Sequence, residues 1–374
     1  MDLDSALGSA ASVITPVAVR DDAAMARNIA AMAALAGDAG LALRPHAKTH
    51  KSTAVGRRQL DAGARGLTVA TLQEAEVFAA SGVNDIFIAH PPVGAEKQRR
   101  LALLAARGTR LAVALDDVNL ARGVPEAVDI LWEVDTGLHR VGTAPGAPTV
   151  DAIHRLLEVV GERRFRGLMT HGGHAYRAVG LPGLREAAAQ EAVGVAETAA
   201  LLRGEGIGVA EVSVGSTPTA ALAGEQRGLT EMRPGTYVYA DAGQVTLGTQ
   251  LLEDCALVVV ASVISTPEKG RAVLDAGSKS ISADRTVAAL GGYGLILGHP
   301  HLVVERLSEE HAVVTVAAGE STGLRVGDRV AVVPAHVCTT VNLHSSLLCF
   351  DSTRAHSYWE AVDARGWRPY DAGP

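Results

Sequence analysis

Cysteine is scarce in this chain. Cys255, Cys338 and Cys349 are the only three in 374 residues, and their irregular spacing supports no disulfide framework. Lysine is nearly as scarce, with Lys48, Lys51, Lys97, Lys269 and Lys279 the whole complement. There is no long basic run, and the formal net charge is -7, which argues against nucleic acid as the main partner. No apolar stretch is long enough to span a bilayer; the longest, CALVVVASVIS (255–265), reads as a buried strand, and no membrane partner is expected. The first residues, MDLDSALGSA, are acidic and lack a positive n-region, so a cytoplasmic protein without a signal peptide is expected. No GxGxxG follows the first predicted strand, which leaves a dinucleotide-binding open sheet without its usual support.

What is present is ordinary globular material, 48% hydrophobic and 20% charged, enough for one large domain or two medium ones. From residue 41 to 241, apolar runs alternate with Ala-rich amphipathic segments. The strand candidates are LALRPH (41–46), GLTVA (66–70), DIFIA (85–89), RLAVAL (110–115), DILWEV (129–134), RGLMTH (166–171), AEVSV (210–214) and GTYVYA (235–240). Buried parallel strands alternating with helices indicate an α/β fold, and eight such units suggest a (β/α)8 TIM barrel over residues 12–244. The weakest connection is the fourth, where DDVNLARGVPEAV (116–128) holds at most a short helix; a doubly wound open sheet is the alternative. After about residue 245 short β-branched runs separated by Gly, Pro and charged turns predict a β-rich domain, 245–374, joined by residues 1–11.

LALRPHAKTHKS (41–52) places Lys48 and Lys51 at the end of the first predicted strand. A solvated cationic loop is the ordinary reading of such lysines. Arg44, His46 and His50 lie close by, however, and neighbouring positive charge favours a lysine's free amine. In a (β/α)8 barrel chemistry sits at the C-terminal strand ends. Reading those ends gives Lys48, Thr71, His90, Asp116, Asp135 with Arg140, His171 to Tyr176, Gly215 to Thr217, and Tyr237 to Tyr239. In VSVGSTPTA (212–220), Ser216 and Thr217 at a helix start could cradle a phosphate, though a plain Ser/Thr cap accounts for the same residues. EMRPGTYVYAD (231–241) supplies a second glycine turn with an arginine, on the strand where such barrels usually hold phosphate. A lysine with a phosphate cradle suggests pyridoxal 5'-phosphate, whose aldehyde needs a lysine amine.

RPHAKTHKS, VDTGLHRVG (134–142), THGGHAY (170–176), VGSTPT (214–219), MRPGTYVYAD (232–241) and PAHVC (334–338) together resemble the fold-type III pyridoxal-phosphate enzymes, specifically the D-serine dehydratase / D-threonine aldolase group. The resemblance implies an alanine-racemase-like (β/α)8 barrel, a C-terminal β-rich domain and a homodimer. It makes Lys48 the cofactor-bearing and proton-moving lysine, and leaves Lys51 a structural role. It makes Tyr176 a cofactor contact and puts Thr217, Gly235 and Thr236 at the phosphate or cofactor, next to the Ser216 hydroxyl read above from the residues themselves. Relatives often carry Asn where Thr236 stands. Arg140 and Arg233 are both candidates for the ring oxygen or the pyridine nitrogen, and the sequence does not choose between them.

PAHVCTT sets His336 and Cys338 two apart, on one face of a predicted strand, so that both can reach one ion. Two ligands are too few for a closed structural zinc but suit an open catalytic site, and a thiolate with an imidazole favours zinc over magnesium or calcium. Such a pair alone is often incidental. By resemblance it is the metal pair of zinc-dependent D-serine dehydratases, whereas D-threonine aldolases typically show His-x-Asp. The expected reaction is therefore loss of water from a D-3-hydroxy amino acid, with D-serine giving pyruvate and ammonia, and D-threonine or D-threo-3-hydroxyaspartate as further substrates. The alternatives are a retro-aldol lyase releasing glycine and an aldehyde, and a non-catalytic pyridoxal-phosphate carrier.

Overall fold

The computed structural model describes residues 1–351 and 356–366. The chain divides into Met1–Ala31 with Thr236–Asp363, and Met32–Gly235 with the last residues from Ala364. Sequence reading put these divisions at 11/12 and 244/245. The difference at the start comes from a strand that VAVRD does not advertise. This strand, β1 (Val17–Asp21), pairs antiparallel with the long apolar run near residue 260, so the N-terminal segment belongs with the β-rich unit. Helix α1 (Leu3–Ser9) precedes it, and α2 (Asp22–Asp38) carries the chain across the division.

In the barrel unit eight parallel strands follow: β2 (Ala42–Leu43), β3 (Leu67–Val69), β4 (Asp85–Ile88), β5 (Arg110–Leu115), β6 (Val128–Glu133), β7 (Phe165–Met169), β8 (Glu211–Val214) and β9 (Glu231–Met232). Their order is β2-β9-β8-β7-β6-β5-β4-β3. A parallel bridge between His46 and Thr68 joins the two ends, so the curled sheet closes into a barrel. Pro45, which has no N–H to give, interrupts the edge of β2 that faces β3. The ladder resumes beyond it, where Ala47 N donates to Thr68 O at 2.7 Å.

Seven of the eight predicted strands lie where expected. The eighth does not: residues 236–238 of GTYVYA form a 3-10 turn, and the strand is the preceding Glu231–Met232. Two residues between polar neighbours give too little apolar alternation to be read as a strand. The helices packed between strands include α3 (Thr53–Asp61), α4 (Leu72–Ala80), α5 (Ala95–Ala106), the expected single turn α6 (Val118–Ala121), α7 (Ala147–Val160) and the long α8 (Gly180–Gly204). A four-residue turn, α9 (Thr217–Ala220), follows β8.

The other unit is a mostly antiparallel assembly of β1 with β10 (Leu257–Glu268), β11 (Arg271–Leu274), β12 (Gly294–Ile296), β13 (Val303–Leu307), β14 (Ala312–Thr315), β15 (Arg329–Pro334), β16 (Ser346–Phe350) and β17 (Tyr358–Ala361). Strand β10 organises it. Val259, Ala261 and Val263 face one core with Leu274, Val304 and Val314, while Val258 and Val260 face another with Ala6 and Val19. Both faces of an apolar run are thus buried, each valine contributing about 1.5–3 kcal/mol. This unit also holds α10 (Ala242–Leu247) and α11 (Val337–Leu343). No helix among the described residues is long and apolar enough to cross a membrane.

Candidate active site and metal pair

The C-terminal ends of the barrel strands open into a cavity of about 530 Å3. Every strand contributes to its wall: His46 and Lys48 after β2, Ala70 after β3, His90 after β4, Asp116 after β5, Glu133 at the end of β6, His171 after β7, Gly215 after β8 and Arg233 after β9. Phe87, Ala112, Ala114, Leu131 and Met169 form one apolar cluster, through which Met169 reaches the cavity wall.

Lys48 is half-buried, with its backbone N–H 3.4 Å from His46 Nδ1. Its surroundings are less cationic than the sequence implies. Arg44 is neutralised by Glu231, 2.8 Å from its Nε, and by Asp85. Burial, then the charge of Lys48, holds both His46 and His171 well below the usual imidazole range, so both rings are neutral. His171 Nδ1 meets the Gly215 carbonyl, which can only accept. Its proton is therefore on Nδ1, and Nε2 keeps a lone pair. His50 is tied to Gln59 Oε1 at 3.1 Å. Lys51 has the structural place expected of it: its ammonium pairs with the buried Glu74 at 3.3 Å, and its backbone takes a left-handed φ of 47°. Glu74 also accepts from Ala70 N at 2.7 Å, which fixes the turn that enters α4.

The two candidate arginines occupy different settings. Arg140 is exposed at the mouth, whereas Arg233 is buried and sits over the Phe87 ring, 5.7 Å from its centroid. Arg233 donates to Ser213 Oγ and to the Thr170 carbonyl. Ser213 in turn donates to Glu231 Oε1 at 2.6 Å, and Glu231 pairs with Arg44. A buried chain of alternating donors and acceptors thus holds the Arg233 guanidinium at the cavity wall.

Glu133 escaped the sequence reading, because a glutamate one residue before the end of an apolar run looks like a strand edge. It is only 5% exposed and lines the cavity. Burial pushes its carboxyl up to about 7, against the opposing pull of Arg140 and Arg233. A folded-state value above the ordinary 4.5 means the native protein holds this proton more tightly than the unfolded chain does. The associated stability is complete below pH 4.5 and is lost as pH rises through about 7, on the order of 3 kcal/mol in all. Glu133→Gln should leave the urea midpoint near that of the parent at pH 4.5 and exceed it at pH 8. Parallel pH profiles for the two proteins would show that the carboxyl ionises normally.

Ser216 stands at the N-cap position of α9, but its hydroxyl makes no cap bond and lies 2.8 Å from Thr219 Oγ1. The plain cap offered by the sequence is therefore not what this serine does. Thr217 is buried beside it, and Tyr176 lies half-buried on the 3-10 turn Gly173–Arg177 after β7. Gly235 packs where a Cβ would come 2.9 Å from Thr49 Oγ1, so only glycine fits against the lysine-bearing segment. Gly235 ends the barrel unit, and the covalently next residue, Thr236, begins the other.

His336 and Cys338 do not share a strand face. Strand β15 ends at Pro334; His336 is the N-cap of α11 and Cys338 is in its first turn. The two side chains still meet. Burial alone would lower the His336 imidazole, but the charge of Cys338 and hydrogen bonds to Asp284 and Cys338 push it up to about 10. Asp284 Oδ2 lies 2.7 Å from His336 Nδ1, which leaves Nε2 for other partners. Thr236 Oγ1 is 3.6 Å from Cys338 Sγ. The buried Asp241 accepts from Gln244 N at 2.9 Å and from Val337 N at 3.1 Å, and so anchors the turn that carries both side chains. Asp284 and Asp241 were not legible as partners, since they lie 52 and 95 residues from His336. Among the described residues, no group of three or more His, Cys, Asp or Glu side chains is placed to hold a metal.

Residues 21–242 match the family described as alanine racemase, N-terminal domain, and residues 256–350 match the putative serine dehydratase domain. The D-threo-3-hydroxyaspartate dehydratase of Delftia sp. (strain HT23) is 35% identical, covering 94% of this chain and 98% of its own. The D-threonine aldolase of Arthrobacter sp. is 33% identical, covering 96% and 94%. Solved structures of the Delftia dehydratase, and of a cysteine-to-alanine mutant of it in the metal-free form, each superpose with a TM-score of 0.86 at 33% identity, over 95% of this chain and 99% of theirs. The chain is a lyase of the fold-type III pyridoxal-phosphate family, in the group that joins D-serine dehydratases, D-threo-3-hydroxyaspartate dehydratases and D-threonine aldolases.

Proposed function

We propose that this lyase removes water from a small D-3-hydroxy amino acid and releases a 2-oxo acid and ammonia. D-Serine would give pyruvate, and D-threonine and D-threo-3-hydroxyaspartate are further substrates of the same reading. The observation that carries it is the His336–Cys338 pair at one helix start, with Asp284 on the other imidazole nitrogen. This carboxylate–imidazole arrangement is typical of metal-binding histidines. A thiolate and an imidazole together favour zinc.

The barrel cavity suits pyridoxal phosphate on its own features. Its volume lies in the usual range for ligand sites, it contains a lysine flanked by neutral imidazoles, and it presents a buried guanidinium. Lys48 would carry the cofactor, which would supply the electron sink that makes the substrate's α-hydrogen acidic. Arg233, held by Ser213 and Thr170, would face the pyridine nitrogen and leave it unprotonated. Arg140, exposed at the mouth, is then available to the ring oxygen or the substrate carboxylate. Ser216, Thr217, Gly235 and Tyr176, all of the barrel unit, would hold the phosphate end. The Lys48 amine would take the α-proton, and the neutral His46 and His171 would add no charge against its doing so. A divalent cation on His336 and Cys338 would supply Lewis acidity toward a substrate oxygen. The expected homodimer and cytoplasmic location belong to the same proposal.

Products decide the matter. Metal-loaded holoenzyme incubated with D-serine, D-threonine, D-threo-3-hydroxyaspartate and their L-forms should release a 2-oxo acid and ammonia in equal amounts from D-forms only. Glycine and an aldehyde in their place would make it an aldolase, and no turnover on any D-form would leave the carrier reading.

A further inference from the structure

Glu191 sits in the middle of α8, 2% exposed, and none of the chemistry above uses it. Its carboxylate nevertheless collects three donors from two loops. Oε1 accepts from Gly172 N and from Gly215 N, both at 2.8 Å, and Oε2 accepts from Thr219 Oγ1 at 2.8 Å. The first loop, after β7, carries His171 and leads into the turn with Tyr176. The second, after β8, carries Ser216 and Thr217. The approach is close enough to dictate sequence, since a Cβ on Gly172 would come 2.3 Å from Glu191 Oε2. An apolar side chain here would strand two buried amides, each costing about 1–3 kcal/mol.

We propose that Glu191 is the positioning residue for the phosphate end of the cofactor. It joins the Tyr176 loop to the Ser216–Thr217 turn and sets their separation. By occupying the Gly215 amide it also leaves the grip to groups further along the turn. The chain continues through Thr219, whose hydroxyl donates to Glu191 and accepts from Ser216 Oγ, so the carboxylate also fixes the turn that carries Ser216 and Thr217. The inference rests on the assignment of phosphate to this turn.

The test is titration of the apo protein with pyridoxal phosphate and with pyridoxal, which lacks the phosphate, taking the ratio of the two dissociation constants. Glu191→Gln keeps the reach. Its amide oxygen can accept both amides, and its NH2 can donate to Thr219, so the ratio should stay within about threefold of the parent. Glu191→Asp keeps the charge but is one methylene short of spanning both loops. Its pyridoxal phosphate affinity should fall tenfold or more while that for pyridoxal changes little. The reverse pattern, with Asp tolerated and Gln not, would make charge rather than position the cause and overturn the proposal. An equal loss of both ligands in Glu191→Asp would do the same, since that is a general folding defect. A Ser216→Ala/Thr217→Val double variant separates the two levels of the argument. An unchanged ratio there overturns the phosphate assignment itself, whereas an unchanged ratio in Glu191→Asp alone overturns only the role of Glu191.

Discussion

Lys48→Ala should lower turnover by roughly 1,000-fold or more, because in the proposed reading one amine would both carry the cofactor and move the α-proton. Reduction of the parent holoenzyme with borohydride should fix pyridoxal phosphate to the peptide that contains Lys48 and to none of the other four lysines. Geometry within the barrel unit motivates this. Lys48 lines the cavity, while Lys51 is committed to Glu74. Label on Lys51 would reverse the two roles. The Ala variant should still bind some cofactor through the phosphate side, so a visible absorbance change with turnover lost is the expected signature. An alanine variant that turns over at the parent's rate would remove Lys48 from the chemistry, whatever the label showed.

Much of this site was legible in the sequence, for a physical reason. Parallel strands buried on both faces read as apolar runs, and the residue types at their C-terminal ends then stand out. Lys48, Arg140 and Gly215 were found that way and Arg233 from the glycine turn of EMRPGTYVYAD, and the structure sets all four on one cavity. What sequence could not show is pairing across the fold. Arg44 and the histidines near Lys48 looked like a cationic cluster, but Arg44 is neutralised from β9 and β4, and His46 is discharged by burial. Glu133, Glu191 and Asp284 have no local signature, since each acts through partners that are distant in sequence. The eighth strand was misplaced for a related reason. Glu231–Met232 is two residues long and is defined by its neighbours β2 and β8, whereas the aromatic-rich stretch after it is a turn. His336 and Cys338 were expected on one strand face, whereas the structure sets them at the start of a helix. Side chains two apart share a face on a strand; on the N-cap and first turn of α11 they meet because Asp241 and Asp284 hold the turn and the imidazole.

His336→Ala should strip the metal and lower 2-oxo acid formation by more than roughly 100-fold, without releasing pyridoxal phosphate, since Lys48 and the metal pair are separate sets of residues. Metal content by atomic emission and cofactor content by absorbance check the two halves independently. Cys338→Asp is the sharper case. Replacing a thiolate by a carboxylate should weaken zinc and favour harder ions such as manganese or magnesium. Elimination from D-serine should then fall further than exchange of the α-hydrogen with solvent deuterium, because Lys48 and the barrel wall remain intact. Asp284→Asn should give a milder form of the same defect, a tenfold to hundredfold loss of metal affinity, because His336 would keep its place but lose the carboxylate that fixes its ring. Gain of glycine release from D-threonine in Cys338→Asp would show that the two chemistries differ by the metal's ligands. A Cys338→Asp protein that held zinc as tightly and formed pyruvate as fast as the parent would make the pair incidental. It would also remove the ground for placing the dehydratase ahead of the aldolase.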